Sequence, residues 1–151
     1  LKWYRLAAKQ GHDQAQYFLG GMLVGGKYVP QDIDEGIKWM GLSAKQGNDM
    51  AQYCIGVTHK NLSENYEAAV VWLELSAGQG NKNAQYELGE IYKNGQGIAE
   101  DFIQAHMWFN IAETNGNDLG STARYKVEKH MTQGQIIEAQ KLAMEWMKEH
   151  K

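Results

Sequence analysis

Three stretches of the sequence are copies of one pattern: Ala15-Gln16-Tyr17-Phe18-Leu19-Gly20, Ala51-Gln52-Tyr53-Cys54-Ile55-Gly56 and Ala84-Gln85-Tyr86-Glu87-Leu88-Gly89. The copies begin 36 and then 33 residues apart. Two further ladders, one of tryptophan and one of glycine, have successive spacings of 36, 33 and 36 residues. Their members are Trp3, Trp39, Trp72 and Trp108, and Gly11, Gly47, Gly80 and Gly116. Recurrence at a fixed period of about 20 to 50 residues is typical of tandem repeats, so the sequence predicts a stack of similar units.

The spacing of apolar residues indicates that each unit is a pair of helices. Ala15, Leu19 and Leu23 fall on one helical face, and residues 33–40 show the same spacing in the second half of the unit. Gly47 is placed to end that second helix in a left-handed conformation. Short connections make neighbouring helices antiparallel, and one pair alone cannot bury both of its apolar faces. The sequence therefore predicts an all-α fold, a right-handed α-α superhelix (solenoid) of stacked antiparallel helix pairs.

We expect a single helical repeat domain over residues 1–151. Its parts are the second helix of a truncated repeat (1–12), full repeats (13–48, 49–81 and 82–117) and a C-terminal capping helix pair (118–151). The expected helices lie near residues 2–10, 14–24, 32–46, 49–60, 64–78, 82–93, 101–114, 118–130 and 133–149. The last helix should begin at the capping box Thr132-Gln133-Gly134-Gln135. Because the first residues resemble the middle of a helix, we expect the sequence to be part of a longer chain, with any targeting signal upstream.

The units resemble the Sel-one-like repeat family, which is related to the tetratricopeptide repeats. The fourth unit carries the resemblance most fully, with Leu88-Gly89, Tyr92, Gly95-Gln96-Gly97, Asp101, Ala105 and Trp108. The middle unit departs from the family pattern, because it is three residues shorter and Lys60-Asn61-Leu62-Ser63 replaces the Gly-x-Gly loop. The resemblance covers nearly the whole chain. It implies a scaffold whose first helices line a concave face where partner peptides bind.

Composition excludes several other classes of protein. The net charge of −3 gives no basic signature for nucleic acid. No apolar run approaches the roughly 20 residues of a membrane-spanning helix, so membrane insertion is not expected. The single Cys54 excludes an internal disulfide framework and is expected to be a small buried apolar residue.

A search for catalytic motifs yields one match, which the context contradicts. Residues 21–27 fit the phosphate-loop pattern G-x-x-x-x-G-K, but Tyr28 follows where Ser or Thr should bind magnesium. A predicted helix, moreover, precedes the loop where the motif needs a strand. The five histidines form no H-E-x-x-H motif, and no G-x-S-x-G motif is present. We therefore expect no catalytic residue, no cofactor and no metal site.

Helical geometry nominates a binding face instead. With Leu19 pointing into the core, Tyr17 lies about 160° away around the first helix. The repeat register carries this face along the chain, and the candidate partner-binding residues are Tyr17, Val24, Met50, Tyr53, Val57, Lys60, Asn83, Tyr86, Glu90, Lys93, Lys126 and Lys129. For the three tyrosines, packing on neighbouring helices is the favoured interpretation, and contact with a partner is the alternative.

Seven residues are expected to be structural. The indoles of Trp3, Trp39, Trp72 and Trp108 should fill the space between successive helix pairs, and Gly20, Gly56 and Gly89 should let a second helix approach closely.

The leading functional hypothesis is a non-catalytic scaffold or adaptor that binds an unidentified protein or peptide on the concave face. The alternatives are a structural or self-associating segment of a larger bacterial envelope or secreted protein, and an enzyme. We expect a monomer, with weak self-association left open. The sequence does not choose between a cytoplasmic, a periplasmic and a secreted location.

Overall fold

The computed structural model describes residues 1–151 and contains nine α-helices and no strand. The helices are α1 (Lys2–Lys9), α2 (Asp13–Gly25), α3 (Ile33–Lys45), α4 (Asp49–Asn61), α5 (Tyr66–Gly78), α6 (Lys82–Asn94), α7 (Phe102–Thr114), α8 (Gly120–Glu128) and α9 (Gln133–Glu149). The predicted all-α solenoid is confirmed. Every expected helix end lies within two residues of the observed one.

Local chemistry explains where the helices begin and end. Asp32, Asn48, Asn65 and Asp101 cap the helices that follow them, because each side chain accepts a hydrogen bond from a backbone N–H three residues later. In each repeat, one glycine with a left-handed backbone lies in the turn between the second helix of one unit and the first helix of the next. There φ is 91° at Gly11, 94° at Gly47, 92° at Gly80 and 91° at Gly116. The glycine ladder therefore marks the boundaries between units.

Three antiparallel pairs, α2–α3, α4–α5 and α6–α7, make the most extensive helix contacts, and each pair packs on the next through α3–α4 and α5–α6. The pairs are close because glycine lies at the contact. A Cβ atom at Gly20 would lie 2.7 Å from the Gly36 carbonyl oxygen, and one at Gly56 would lie 2.7 Å from Leu73 Cγ. One glycine per first helix thus sets the distance between the two helices of a pair.

The tryptophan ladder packs as expected in three of its four positions. Trp39 lies against the cluster of Ala8 and Leu19, Trp72 lies against the next cluster along the stack, and Trp108 is buried in the largest cluster. Trp3 differs from the expectation, because 79% of its surface is exposed. No helix pair lies on the far side of α1, so its indole has no cluster to enter.

The C-terminal segment differs from the expected helix pair. Helix α9 packs on α7 and makes at most marginal contact with α8. It covers the outer side of α7, where Ile111 is 0% exposed, although Leu75 at the same position of α5 is 49% exposed. Tyr125 supplies the physical reason. It occupies the register of Gly20, and a side chain of that size on α8 prevents the close approach that a second helix needs.

Candidate partner-binding face

The three tyrosines of the repeat lie half-buried on first helices and pack against core clusters of their own and the following unit. Tyr17 contacts the cluster that contains Met40 and Ile55. Tyr53 packs against the largest cluster, and the ring of Tyr86 lies 5.5 Å from that of Phe109. Packing is thus part of what these side chains do.

The surroundings of the tyrosine hydroxyls keep them protonated. Burial, followed by the charge and hydrogen bond of Glu90 and the charge of Glu87, raises the pKa of Tyr86 to about 12. Burial and the neighbouring Cys54 likewise raise the pKa of Tyr17. Each ring therefore offers an apolar surface and a neutral hydroxyl at any physiological pH.

Two of the four candidate lysines form ion pairs with carboxylates on the same face. Lys60 Nζ on α4 lies 2.6 Å from Glu87 Oε2 on α6, and Lys93 Nζ lies 3.0 Å from Glu90 Oε1 within α6. The first pair links neighbouring units. Lys126 and Lys129 are exposed and have no ion-pair partner.

The remaining candidates divide between open and covered positions. Met50 and Asn83 are exposed at the starts of α4 and α6. Val57 packs against the core. Val24 differs most from its expected place, because a Cβ atom at Gly36 would lie 2.6 Å from Val24 Cγ2. Val24 therefore lies at the α2–α3 contact, where a partner has little access to it.

The structure brings the C-terminal candidates together. Tyr86, Glu90, Lys93 and Lys126 line one groove of about 260 Å³ between α6 and α8. Lys93 and Lys126 also line an adjoining groove of about 370 Å³, whose other walls include Phe102 and His130. None of the larger grooves includes Tyr17, Met50 or Tyr53. The recesses of this face therefore lie at its C-terminal end.

Sequence reasoning missed a buried glutamine ladder that holds the first helices in place. The side-chain Nε2 atoms of Gln16, Gln52 and Gln85 each donate at 3.1 Å to a backbone carbonyl of the preceding second helix. Their Oε1 atoms accept, at 2.8, 2.8 and 2.9 Å, from the side chains of Gln46, Gln79 and Asn115 respectively. The signal was present, since glutamine recurs between Ala and Tyr in every copy of the repeated stretch.

A second ladder at the turns joins consecutive first helices. Asn48 Nδ2 donates to Asp13 Oδ2 at 3.0 Å, and Asn81 Nδ2 donates to Asp49 Oδ2 at 2.9 Å. The same asparagines cap α4 and α6. Side-chain amides therefore link each first helix to the next along the stack.

The structure shows no group of three or more His, Cys, Asp and Glu side chains positioned to hold a metal ion. The motif-like residues 21–27 lie at the end of α2 and in the turn after it. Cys54 is half-buried, and burial raises the pKa of its thiol. None of the helices has the length and apolar character needed to cross a membrane.

Comparison with known proteins identifies the repeat. The family described as "Sel1 repeat" matches residues 1–12, 13–48, 50–81 and 82–117. A Sel1 repeat protein from Oxalobacter formigenes is 28% identical, with a TM-score of 0.70, over 82% of this chain and 95% of its own. A protective antigen present in uropathogenic Escherichia coli strains, described as displaying an SLR fold, is 28% identical with a TM-score of 0.55. The match covers 99% of this chain but only 40% of that antigen. No curated protein matches the sequence significantly.

Proposed function

The chain belongs to the Sel1 repeat family, and from this premise we propose that it is a non-catalytic scaffold that binds a partner protein or peptide. The binding surface we propose is the first-helix face, formed by the sides of α2, α4, α6 and α8 that carry Met50, Tyr53, Asn83, Tyr86 and Lys126. One observation supports this choice above others. Four of the twelve candidate residues, Tyr86, Glu90, Lys93 and Lys126, line two adjoining grooves between α6 and α8.

The physical character of the face suits protein recognition. Its tyrosines are held by packing on the next unit, so they lose little rotational freedom when a partner binds. A rigid aromatic ring with a polar hydroxyl provides a large contact area at low entropic cost. The exposed Asn83 amide beside it can bind the backbone of a peptide.

The proposal is tested by affinity capture from an extract of the source cells. The Met50→Arg/Asn83→Arg double variant changes two exposed positions of the face. The matched control, Leu42→Arg/Leu75→Arg, makes the same charge change at exposed positions on second helices. We expect the face variant to lose a partner that the wild type and the control both capture. If both variants retain that partner equally, the face is wrong; if the wild type captures nothing above a blank matrix, the scaffold proposal fails.

A further inference from the structure

Helix α8 is a first helix without a second helix beside it. In the three preceding units α3, α5 and α7 cover one side of the first helix, whereas α9 packs on α7 instead of α8. Tyr125 of α8 is 62% exposed at the position where Gly20, Gly56 and Gly89 contact a second helix, and Leu119, just before α8, is 59% exposed. The chain continues directly from α8 into α9, so this opening results from the path of α9.

The exposed residues of α8 form one stripe. At 100° per residue, Leu119, Thr122, Lys126 and Lys129 lie within about 80° of one another around the helix, and Tyr125 adjoins them. Lys126 also lines both grooves beside α6. Stripe and grooves are therefore one continuous surface, which we call the α8 surface.

The charges on the α8 surface are unevenly compensated. Arg124 on the neighbouring side of α8 binds Glu113 Oε2 at 2.8 Å and Glu128 Oε1 at 2.9 Å, so those carboxylates are occupied. Glu90 is bonded to Lys93. Among the groove residues only Glu100 is a further carboxylate, and it lines the same groove as Lys126, which has no ion-pair partner.

His130 adds an aromatic wall to this surface. Its exposed imidazole stacks on Phe102, with ring centroids 5.1 Å apart and planes inclined by 14°. The surface thus combines two unpaired ammonium groups with the exposed imidazole of His130 and the exposed ring of Tyr125, over which the Arg124 guanidinium carbon lies 5.1 Å from the ring centroid. Such a combination complements carboxylates interspersed with an apolar side chain.

We propose that the α8 surface binds an acidic segment of a partner protein, with carboxylates on Lys126 and Lys129 and an apolar or aromatic side chain against Leu119 and Tyr125. This inference rests on the proposed scaffold function and names the chemistry of its partner. Tyr125 lies on the side of α8 that a second helix covers in the other units, whereas Leu119 and Lys126 lie on the first-helix face.

A fluorescence anisotropy titration tests the proposal with the labelled peptide Glu-Glu-Leu-Glu-Glu-Tyr-Glu-Glu and the same peptide with every Glu replaced by Gln. The Lys126→Glu/Lys129→Glu variant reverses both charges of the stripe. Its matched control, Lys38→Glu/Lys45→Glu on α3, changes two exposed, unpaired lysines by the same net charge. We expect the α8 variant to weaken binding of the acidic peptide by about tenfold or more, and the control by no more than about twofold. Tyr125→Ala should weaken it by about threefold or more.

Three results overturn the proposal: no saturable binding by the wild type up to on the order of 1 mM peptide, equal weakening by both charge variants, or equally tight binding of the Gln peptide. Circular dichroism melting identifies a variant that has lost its fold, in which case Lys126→Gln/Lys129→Gln replaces it in the titration. The failures of the two proposals remain distinct. If the wild-type chain does not bind the acidic peptide but the Met50→Arg/Asn83→Arg variant still loses a cellular partner, only the inference about α8 is wrong.

Discussion

At the scale of single residues, buried amides join the units together. Gln52 is 5% exposed and connects three helices, since it lies on α4, donates to Ala44 at the end of α3 and accepts from Gln79 after α5. A buried carbonyl or amide that loses its partner costs more than the hydrogen bond itself contributes. Such residues therefore position the neighbouring units as well as stabilise them.

Replacing this amide should have a measurable cost. We expect Gln52→Ala to lower the free energy of unfolding by about 1–3 kcal/mol, because it removes two hydrogen bonds of a buried side chain, each worth about 0.5–1.5 kcal/mol. Urea denaturation provides the measurement, and Gln140→Ala at an exposed position of α9 is the control. An unchanged unfolding free energy in Gln52→Ala would show that water replaces the glutamine without cost.

A single histidine supplies a pH-sensitive contact between α7 and α8. His106 is fully buried, and its Nε2 lies 2.9 Å from Glu128 Oε1, while Nδ1 has no partner. Burial lowers the pKa of His106 below its ordinary value of 6.5, although Glu128 opposes this effect. The charges nearby belong to Glu128, Arg124 and Glu113.

This lowered pKa predicts a loss of stability in mild acid. The unfolded chain takes up the proton first as the pH falls, so stability is full above pH 6.5 and declines from there towards the folded-state pKa. His106→Gln should flatten the dependence of unfolding free energy on pH by up to about 1.4 kcal/mol per pH unit. Urea denaturation at a series of pH values between about 7.5 and 5.5 measures this slope of unfolding free energy against pH. His12→Gln, at an exposed turn, should keep the wild-type slope; an unchanged slope in His106→Gln would exclude this histidine as the cause.

At the scale of helices, glycine position decides which helices pair. Gly20 lies where α2 contacts α3, and a Cβ atom there would lie 2.6 Å from Met40 Cγ as well as against the Gly36 backbone. Gly41 lies within α3, but a Cβ atom at that position would meet nothing within 4 Å. The two glycines therefore have opposite consequences for stability.

This contrast gives a matched pair of substitutions. We expect Gly20→Ala to destabilise the chain by about 1–3 kcal/mol, because the Gly36 backbone cannot move aside without separating the helices. Gly41→Ala should stabilise it by about 0.5–1 kcal/mol through lower chain entropy in the unfolded state. Thermal and urea denaturation measure both. A Gly20→Ala variant as stable as Gly41→Ala would show that the α2–α3 contact is loose.

The path of α9 follows from the same rule. Where α8 needs a glycine for pairing it has Tyr125, so α9 finds its apolar partners on α7 instead. Trp146 meets the indole of Trp108 edge-on at 5.3 Å, and Leu142 and Met147 pack against the same cluster. The last helix thus covers the outer side of α7 and leaves α8 open.

At the scale of the whole molecule, the extensive helix contacts join each unit to its neighbours along the stack. Stability in such an array is approximately a sum of unit and interface contributions. Helix α6 lies between α5 and α7, whereas α1 has one extensive helix contact, with α2, and an ion pair from Arg5 to Glu35 of α3. Protection from solvent should therefore vary along the chain.

Hydrogen exchange should show this gradient. We expect backbone amides of α6 and α7 to exchange most slowly and those of α1 most rapidly, because α2 is the only helix with which α1 makes an extensive contact. Mass spectrometry of peptides from each helix measures the rates. Equal protection of α1 and α6 would indicate that the whole stack unfolds as one cooperative unit.

The local pattern of the sequence determined the helices, their ends and their order. Apolar spacing near 3.6 and a left-handed glycine such as Gly47 act within one helix and its turn, so no distant contact is needed to predict them. The repeat register added the pairing of α2–α3, α4–α5 and α6–α7. The register also indicates that no second helix pairs with α8, since Tyr125 occupies the position that is glycine in the first helices of the other units.

Only the tertiary structure decided which residues of the first-helix face are covered. A helical projection places Tyr17 and Val24 relative to their own helix axis, but Tyr17 packs on the next unit and Val24 on α3. The burial of Gln52 and the grooves around Lys126 likewise depend on residues from other units. Contacts between such distant residues depend on how the helices stack, and the spacing within any one helix carries no information about that.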